Sequence, residues 1–203
     1  MKIVGTLEEL EAIYGEPATA SLTKVVHAVT PEYRRLIEAS PLVALATSGP
    51  EGLDCSPRGD RGQAVIIQDE TTLLIPDRRG NNRTDSLRNI VRDPRIALMF
   101  LIPGSATTLR INGRASVAIE PSLLEGHAVD GQRPRSVIVI EIGEIYFQCA
   151  RALIRADIWN PETHVAKGDL PTPGQILKAT NDGAFDGEAY DQAWPARAAK
   201  TMW

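Results

Sequence analysis

The chain has 203 residues, of which 43% are hydrophobic and 24% are charged, a composition typical of a folded domain of ordinary size. Its net charge of −4 argues against a general binder of nucleic acids or anionic membranes, so we expect neither as a partner. Apolar runs are too short to span a bilayer, the start lacks a signal-peptide pattern, and two cysteines are too few for a disulfide framework, which together predict a cytoplasmic protein.

Two helices are predicted near the amino terminus, each with recognisable end signals. Thr6 and Glu9 have the spacing of a capping box, apolar residues then recur on one helical face, and Gly15 ends the helix. The second helix begins after Thr30, a typical N-cap residue that is followed by proline. The segment between them, residues 21–29, fits either a helix or an extended chain.

Apolar residues change to the spacing of short strands from residue 41 onward. About six strands are indicated, over residues 41–49, 63–67, 71–77, 95–102, 107–120 and 135–149. Strands spaced this closely favour a small antiparallel barrel or sandwich, because each crossover of a parallel sheet needs about a dozen residues or more.

Two more helices are predicted, one among the strands and one after them. The first covers residues 84–94, with Thr84 as its N-cap. Its apolar stripe consists of Leu87, Ile90 and Val91. The second covers residues 150–159.

The tail that follows is rich in proline, glycine and aspartate and has few apolar residues to anchor it. We therefore divide the chain into a domain of residues 1–160 and a C-terminal extension of residues 161–203. This extension is expected to serve as a lid or as a dimer arm.

The pair Asn112-Gly113 permits two interpretations. Between two alternating runs it is a hairpin signal. In a small closed barrel the same pair marks a bulge, at which one long strand turns a corner. We favour the bulge.

Four arginines surround the turn between a predicted strand and a predicted helix: Arg78, Arg79, Arg83 and Arg88. From Arg78 to Arg95 the chain has six arginines and two aspartates, so local ion pairs leave an excess of positive charge. Arginine pairs bidentately with phosphate oxygens, and a helix N-terminus adds free N–H groups. The turn therefore fits an anion site, with a solvated loop as the alternative.

Arg58 offers another positive charge from a strand-like segment. A functional Arg58 would reach the same anion as the turn. The alternative is a surface ion pair of Arg58 with Asp54 or Asp60, which would contribute little. The residues alone leave both alternatives open.

Four segments, CSPRGD, LLIPDRRGNNRTDSLRNIVRDPRIALMFLIPG, TLRINGRASV and CARALIRADIW, occur in this order. Together they resemble the pyridoxamine 5′-phosphate oxidase-related family of FMN-binding split barrels, over about residues 31–159, with RGNNR-x-DSL-x-NI as the most specific run. The resemblance implies a mainly β fold with peripheral helices, built as a six-stranded antiparallel Greek-key split β-barrel. It also implies a homodimer with FMN bound at the subunit interface.

The resemblance further implies nine cofactor-binding residues in three groups. Those near the phosphate or the ribityl chain are Arg58, Asn81, Asn82 and Arg83. Those whose main chain runs along the isoalloxazine ring are Ile75, Pro76 and Asp77. Those that reach the flavin from across the dimer are Thr108 and, more weakly, Arg110.

Pyridoxamine phosphate oxidase itself grips its substrate with a C-terminal Arg-x-His-x-Arg element, which this sequence lacks. We therefore expect a flavin-dependent oxidoreductase that acts on another, unidentified small molecule. Two alternatives stay open: a non-catalytic flavin-binding or carrier protein, and the same fold binding F420 or haem. No residue is predicted to be catalytic, and the sequence predicts no metal site, because its histidines lack metal-ligand spacing.

Five further residues have alternative roles. Cys149 fits a redox partner of the flavin or, more commonly, a small buried residue. Arg151 and Arg155, four residues apart on a predicted helix, fit a shared anion or a solvated face. Trp159 and Trp194 fit packing near the flavin or at a dimer contact.

Overall fold

The computed structural model describes residues 1–166 and 168–202 of the chain. Its strands are β1 Leu42–Gly49, β2 Gly52–Gly59, β3 Ile66–Ile67, β4 Thr72–Asp77, β5 Arg95–Leu101, β6 Thr108–Ala118 and β7 Ser136–Gln148. Its helices are α1 Leu7–Tyr14, α2 Thr19–Thr23, α3 Pro31–Glu38, α4 Asp85–Arg92, α5 Pro121–Gly126, α6 Arg151–Ala156, α7 Pro173–Thr180 and α8 Gly187–Thr201, with a 3₁₀ turn at Pro161–Thr163. Within the described residues, no helix combines the length and the apolar character needed to cross a membrane.

The strands form one antiparallel sheet in the order β2-β1-β5-β6-β7-β4-β3. It has seven described strands, against about six predicted, because β2, which pairs with β1 along its whole length, was not among them. The strand predicted over residues 63–67 is present only as the two residues of β3. The edge strands β2 and β3 are not hydrogen-bonded to one another, so the sheet does not close through its backbone. The mainly β, antiparallel fold is thus confirmed, whereas the six-stranded Greek-key barrel stays a prediction.

Side chains that alternate along the strands build the core on one face of the sheet. Val43 of β1 lies opposite Phe100 of β5, and both are fully buried. Ile37 of α3 and Ile90 of α4 belong to the same cluster. Each buried aliphatic or aromatic side chain contributes roughly 1.5–3 kcal/mol. The helices α3 and α4 are therefore fixed to the sheet by apolar burial.

The helices predicted at the amino terminus are confirmed, and their capping is now visible. The Thr6 hydroxyl accepts from Glu9 N (3.2 Å), whereas the Glu9 carboxylate accepts from Gly5 N, so the predicted capping box is only half formed. α1 has no buried residue, although its apolar residues share a face. Residues 21–29 contain the end of α2 and a single bridge from Val26 to Ile145.

The helix α4 begins after Thr84, as predicted, but the Thr84 side chain makes no capping hydrogen bond. Its buried residues are Ser86, Asn89 and Ile90. Val91 was predicted in the apolar stripe and is 76% exposed, because the face toward the sheet is shared with polar side chains. The first turn of α4 thus keeps N–H groups that no Thr84 hydroxyl occupies.

The C-terminal part differs most from the prediction. α6 ends at Ala156 instead of residue 159, and Asp157 caps it in a left-handed conformation (φ 48°). Two helices, α7 and α8, follow in the tail, where composition indicated only an extension. They pack against each other as a helical hairpin.

The bulge is confirmed, and it includes a residue that the sequence analysis did not single out. β6 runs without interruption through Asn112-Gly113, so the hairpin interpretation is wrong. Asn112 lies opposite Glu144 and Gly113 opposite Ile142, which places the extra residue, Gly143, on β7. Bulges increase local twist, so this position bends the two longest strands of the sheet.

A side chain at Gly113 is predicted to destabilise the protein. A Cβ there would lie 2.2 Å from the carbonyl oxygen of Glu141, a backbone atom that cannot move aside cheaply. We expect Gly113→Ala to lower the free energy of unfolding by about 1–3 kcal/mol in urea denaturation. Gly126→Ala, where a Cβ meets nothing within 4 Å, should change it by less than about 0.5 kcal/mol. Equal effects of the two substitutions would contradict this assignment.

Candidate functional site

A cleft with a volume of about 880 Å³ lies between the basic turn and α8. It brings together four of the predicted phosphate-site residues, Arg58, Asn81, Asn82 and Arg83. Other polar or aromatic residues that line it are Asp54, Ser56, Arg79, Asp85, Ser86, Arg135, Tyr190, Trp194, Arg197 and Thr201. A volume of this size is in the usual range for a site that holds a small molecule.

Two asparagines, Asn81 and Asn82, fix the conformation of the basic turn between β4 and α4. Asn82 adopts φ 62°, a left-handed conformation that asparagine tolerates better than most residues. The side-chain oxygen of Asn81 accepts from Arg83 N (3.0 Å), and that of Asn82 accepts from Arg135 Nη1 (2.5 Å). These contacts occupy both amide oxygens and leave both amide N–H₂ groups as donors at the cleft.

Arg58 is held in place by a half-buried ion pair. Its Nη1 lies 2.6 Å from Asp77 Oδ1, and the two side chains are 21% and 16% exposed. The alternative interpretation, a surface ion pair of Arg58 with Asp54 or Asp60, is therefore wrong. Its Nε is buried and has no hydrogen-bond partner in the described residues. An unsatisfied buried donor costs about 1–3 kcal/mol, so this N–H is a group that an anionic ligand can satisfy.

The arginines of the turn have different surroundings. Arg78 donates from Nε to Asp60 Oδ2 (2.9 Å) and from Nη1 to the His127 carbonyl oxygen (2.6 Å), which makes it a structural residue. Burial, together with Arg78, lowers the pKa of His127 below its usual value of 6.5. Arg83 pairs with Asp85 at 2.5 Å, with side chains 79% and 45% exposed. Exposed pairs contribute only about 0.2–1 kcal/mol, so Arg83 can exchange Asp85 for another anion at little cost.

The three residues predicted along the flavin ring lie on β4. Ile75 is 2% exposed and belongs to the core, and Asp77 is occupied by Arg58. Ile75 and Pro76 line a smaller cavity of about 210 Å³, which shares Arg58 with the large cleft. β4 pairs with β7 along its whole length but with β3 only at Leu73 and Leu74, so its later residues lie at an open edge.

Thr108 and Arg110 do not line the cleft described above. Thr108 is 5% exposed and lies opposite Gln148 at the start of β6. The Arg110 guanidinium stacks on the ring of Tyr146, with its carbon 5.2 Å from the ring centroid. Both were predicted to reach the flavin of a partner subunit. A single chain does not test this role, which stays a prediction.

The sequence analysis did not predict two groups of residues that line the cleft, one before β7 and one on α8. Arg135 immediately precedes β7 and carries no local signal of its contact with Asn82. Tyr190, Trp194 and Arg197 lie on one side of α8 at spacings of four and three residues, which is a helical signal in a segment that composition marked as irregular.

Of the five further residues to which the sequence analysis assigned alternative roles, only Trp194 lines the cleft. Cys149 is exposed, and a hydrogen bond from the backbone N–H of Arg151 lowers the pKa of its thiol. Trp159 donates from Nε1 to the Ser105 carbonyl oxygen (2.7 Å), which gives it a structural contact. No group of three or more potential metal ligands occurs among the described residues. The absence of a metal and the roles of Arg151 and Arg155 stay predictions.

Removal of Asp77 is predicted to destabilise the fold more than removal of Asp85. Asp77→Ala leaves the guanidinium of Arg58 half-buried and unpaired, which should lower the free energy of unfolding by about 2 kcal/mol or more. Asp85→Ala removes an exposed partner and should cost less than about 0.5 kcal/mol. Urea denaturation of both variants without ligand measures the difference, and similar losses would contradict the structural role of the Arg58–Asp77 pair.

Comparison with known proteins supports the assignment to a family. The family model described as pyridoxamine 5′-phosphate oxidase matches residues 29–149, more than half of the chain. Among curated proteins, none matches.

Several solved structures resemble this chain at low identity. A candidate pyridoxamine 5′-phosphate oxidase from Lactobacillus delbrueckii is 22% identical, with 60% of this chain and 95% of that chain covered and a TM-score of 0.49. HupZ of Group A Streptococcus is 20% identical, with coverages of 59% and 93% and a TM-score of 0.47. An F420 reductase is 17% identical, with coverages of 58% and 98% and a TM-score of 0.44. These likenesses carry no information on ligand or activity, and the match over residues 29–149 is what shows that the chain belongs to the pyridoxamine 5′-phosphate oxidase family.

Proposed function

We propose that the protein binds FMN through its phosphate at the basic turn and acts as a flavin-dependent oxidoreductase on a small molecule. The observation that carries the proposal is the convergence of Arg58, from β2, with Asn82 and Arg83, from the turn, on one cleft. The buried, unsatisfied Nε of Arg58 is the group that most needs an anion there. The proposal rests on this site together with the family match over residues 29–149.

The residues present fit a phosphate monoester in three respects. Arg58 and Arg83 supply guanidinium N–H groups, and the amide groups of Asn81 and Asn82 add neutral donors. The first turn of α4 adds backbone N–H groups and the positive end of a helix dipole. Each hydrogen bond to a charged group contributes about 1.5–3 kcal/mol net, so two or three account for a large part of micromolar affinity.

The flavin, when bound, supplies the two-electron redox chemistry. The protein's residues position it: the turn holds the phosphate, and the open edge of β4 beyond Leu74 lies beside the smaller cavity, where Ile75 and Pro76 would border the ring. Pro76 has no backbone N–H, so any main-chain donor to the ring comes from its neighbours. No described side chain in the cleft is assigned as an acid or base.

The quaternary structure is part of the same proposal. We propose a six-stranded Greek-key split barrel that forms a homodimer, with Thr108 and Arg110 facing the flavin of the partner. We also keep the division into residues 1–160 and residues 161–203, and a cytoplasmic location, as predictions. A monomer by light scattering would remove the role given to Thr108 and Arg110 without affecting the phosphate site.

The visible absorption spectrum, followed by a comparison of FMN with riboflavin, tests the proposal. Because riboflavin lacks the phosphate, the purified protein should bind FMN at least about 100-fold more tightly. Arg83→Ala should reduce this ratio at least about tenfold, since one charge-assisted contact is lost. Titration monitored by flavin fluorescence measures both dissociation constants.

Arg95→Ala is the matched control. Arg95 is also an exposed arginine paired with an aspartate two residues away, but it does not line the cleft. This variant should keep the wild-type ratio. The phosphate assignment would be overturned if the protein did not bind FMN, or if it bound FMN and riboflavin with equal affinity. A deazaflavin or haem spectrum would identify one of the alternative ligands, and bound FMN without turnover of NADH or NADPH would favour a carrier.

A further inference from the structure

The helix α8 forms one wall of the cleft, and the α7–α8 hairpin to which it belongs lies outside the family match, which ends at residue 149. Its two helices are locked together near their first turns. A Cβ at Gly174 would lie 2.0 Å from the carbonyl oxygen of Gly187, so the two backbones touch. Asp191 accepts from Gly174 N (2.9 Å) and from the Thr172 hydroxyl. The side of α8 that faces the cleft is therefore set by contacts within the hairpin.

That side presents an arginine whose guanidinium lies over two aromatic rings. The guanidinium carbon of Arg197 lies 4.4 Å from the centroid of Tyr190 and 5.2 Å from that of Trp194. Stacking occupies the faces of a guanidinium and leaves its N–H edges free to pair with a carboxylate. Within residues 1–166 and 168–202, no carboxylate lies at ion-pair distance from Arg197.

The cleft carries a small excess of positive charge. Five arginines and two aspartates line it, and Asp77, which pairs with Arg58, reduces the surplus to two positive charges. A phosphate monoester carries about −1.5 to −2 at neutral pH. The FMN phosphate at the turn would offset most of this surplus, but Arg197 belongs to α8 and not to the turn. With its N–H edges free, Arg197 is the group with which a second ligand carrying a single negative charge would pair.

We infer that α8 recognises a substrate that carries one carboxylate on a planar ring. Arg197 pairs with the carboxylate, and Trp194, which is 53% exposed, offers the ring surface that Arg197 does not cover, against which the ligand's ring stacks. The inference rests on the proposed function, because it assumes that the turn is occupied by the FMN phosphate. It deepens that function by naming the substrate class and the residues that select it.

Three probes of similar size separate the two requirements. Benzoate is planar and anionic, benzamide is planar and neutral, and cyclohexanecarboxylate is anionic and not planar. FMN-loaded protein, titrated by calorimetry and by the flavin difference spectrum, should bind benzoate at least about tenfold more tightly than either of the others. This comparison uses the unaltered protein and does not depend on any variant.

Substitutions then assign each requirement to a residue. Arg197→Gln should weaken benzoate at least about tenfold and leave benzamide and FMN unchanged. Trp194→Leu should remove the preference for benzoate over cyclohexanecarboxylate. Lys200→Gln is the control, since it removes a cation from the same helix at a position outside the cleft. It should behave like the wild type.

Each contrary result identifies what fails. If the protein binds benzoate no more tightly than benzamide, the inference is overturned. The same holds if wild type and Arg197→Gln bind benzoate equally well. In both cases the proposed function stands as long as FMN is bound. Loss of FMN affinity in Arg197→Gln makes Arg197 a cofactor ligand and also overturns it. Failure of the wild-type protein to bind FMN is seen before any probe is added and removes both.

Discussion

The ion pair between Arg58 and Asp77 is the contact on which the arrangement of the site depends. Arg58 lies on β2 and Asp77 at the end of β4, and these strands are five positions apart in the order of the sheet. A distance of 2.6 Å between their side chains requires the sheet to curl until its two ends approach. Arg78 and Asp60 make a second contact of the same kind between the residues that follow β4 and β2. Side chains thus join the two ends of a sheet whose described edge strands are not hydrogen-bonded to one another.

The same ion pair determines which donors are left for a ligand. Asp77 occupies one Nη of Arg58 and fixes the guanidinium, while the buried Nε has no hydrogen-bond partner among the residues that the structure describes. A half-buried arginine fixed by a carboxylate loses little further side-chain entropy when an anion arrives, whereas the exposed Arg83 must leave Asp85 and become ordered. Arg58 therefore supplies a rigid part of the anion site and Arg83 an adaptable one. The curl that brings β2 to β4 is what places them side by side.

Local patterns predicted the parts of this arrangement that are local. The asparagines and arginines of the turn, the start of α4 and the bulge opposite Gly113 each follow from residues close in sequence. The partner of Arg58 could not be predicted in this way, because Asp54 and Asp60 are near in sequence while Asp77 is near only once the sheet curls. Val91 was misplaced because α4 buries polar Ser86 and Asn89, which a count of apolar residues does not register.

The tail was missed for a different reason, and that reason separates the two walls of the cleft. The composition of the tail marked it as irregular, so the helical spacing of Tyr190, Trp194 and Arg197 was not used as a signal. The packing of α7 on α8 relies on Gly174, Gly187 and the hydrogen bonds of Asp191. None of these contacts involves the sheet. The wall on the side of the sheet, in contrast, includes Arg58, one of the residues that hold the sheet ends together. A change on α8 can therefore alter what the cleft accepts without loosening the sheet, whereas a change at Arg58 or Asp77 affects the anion site and the fold together.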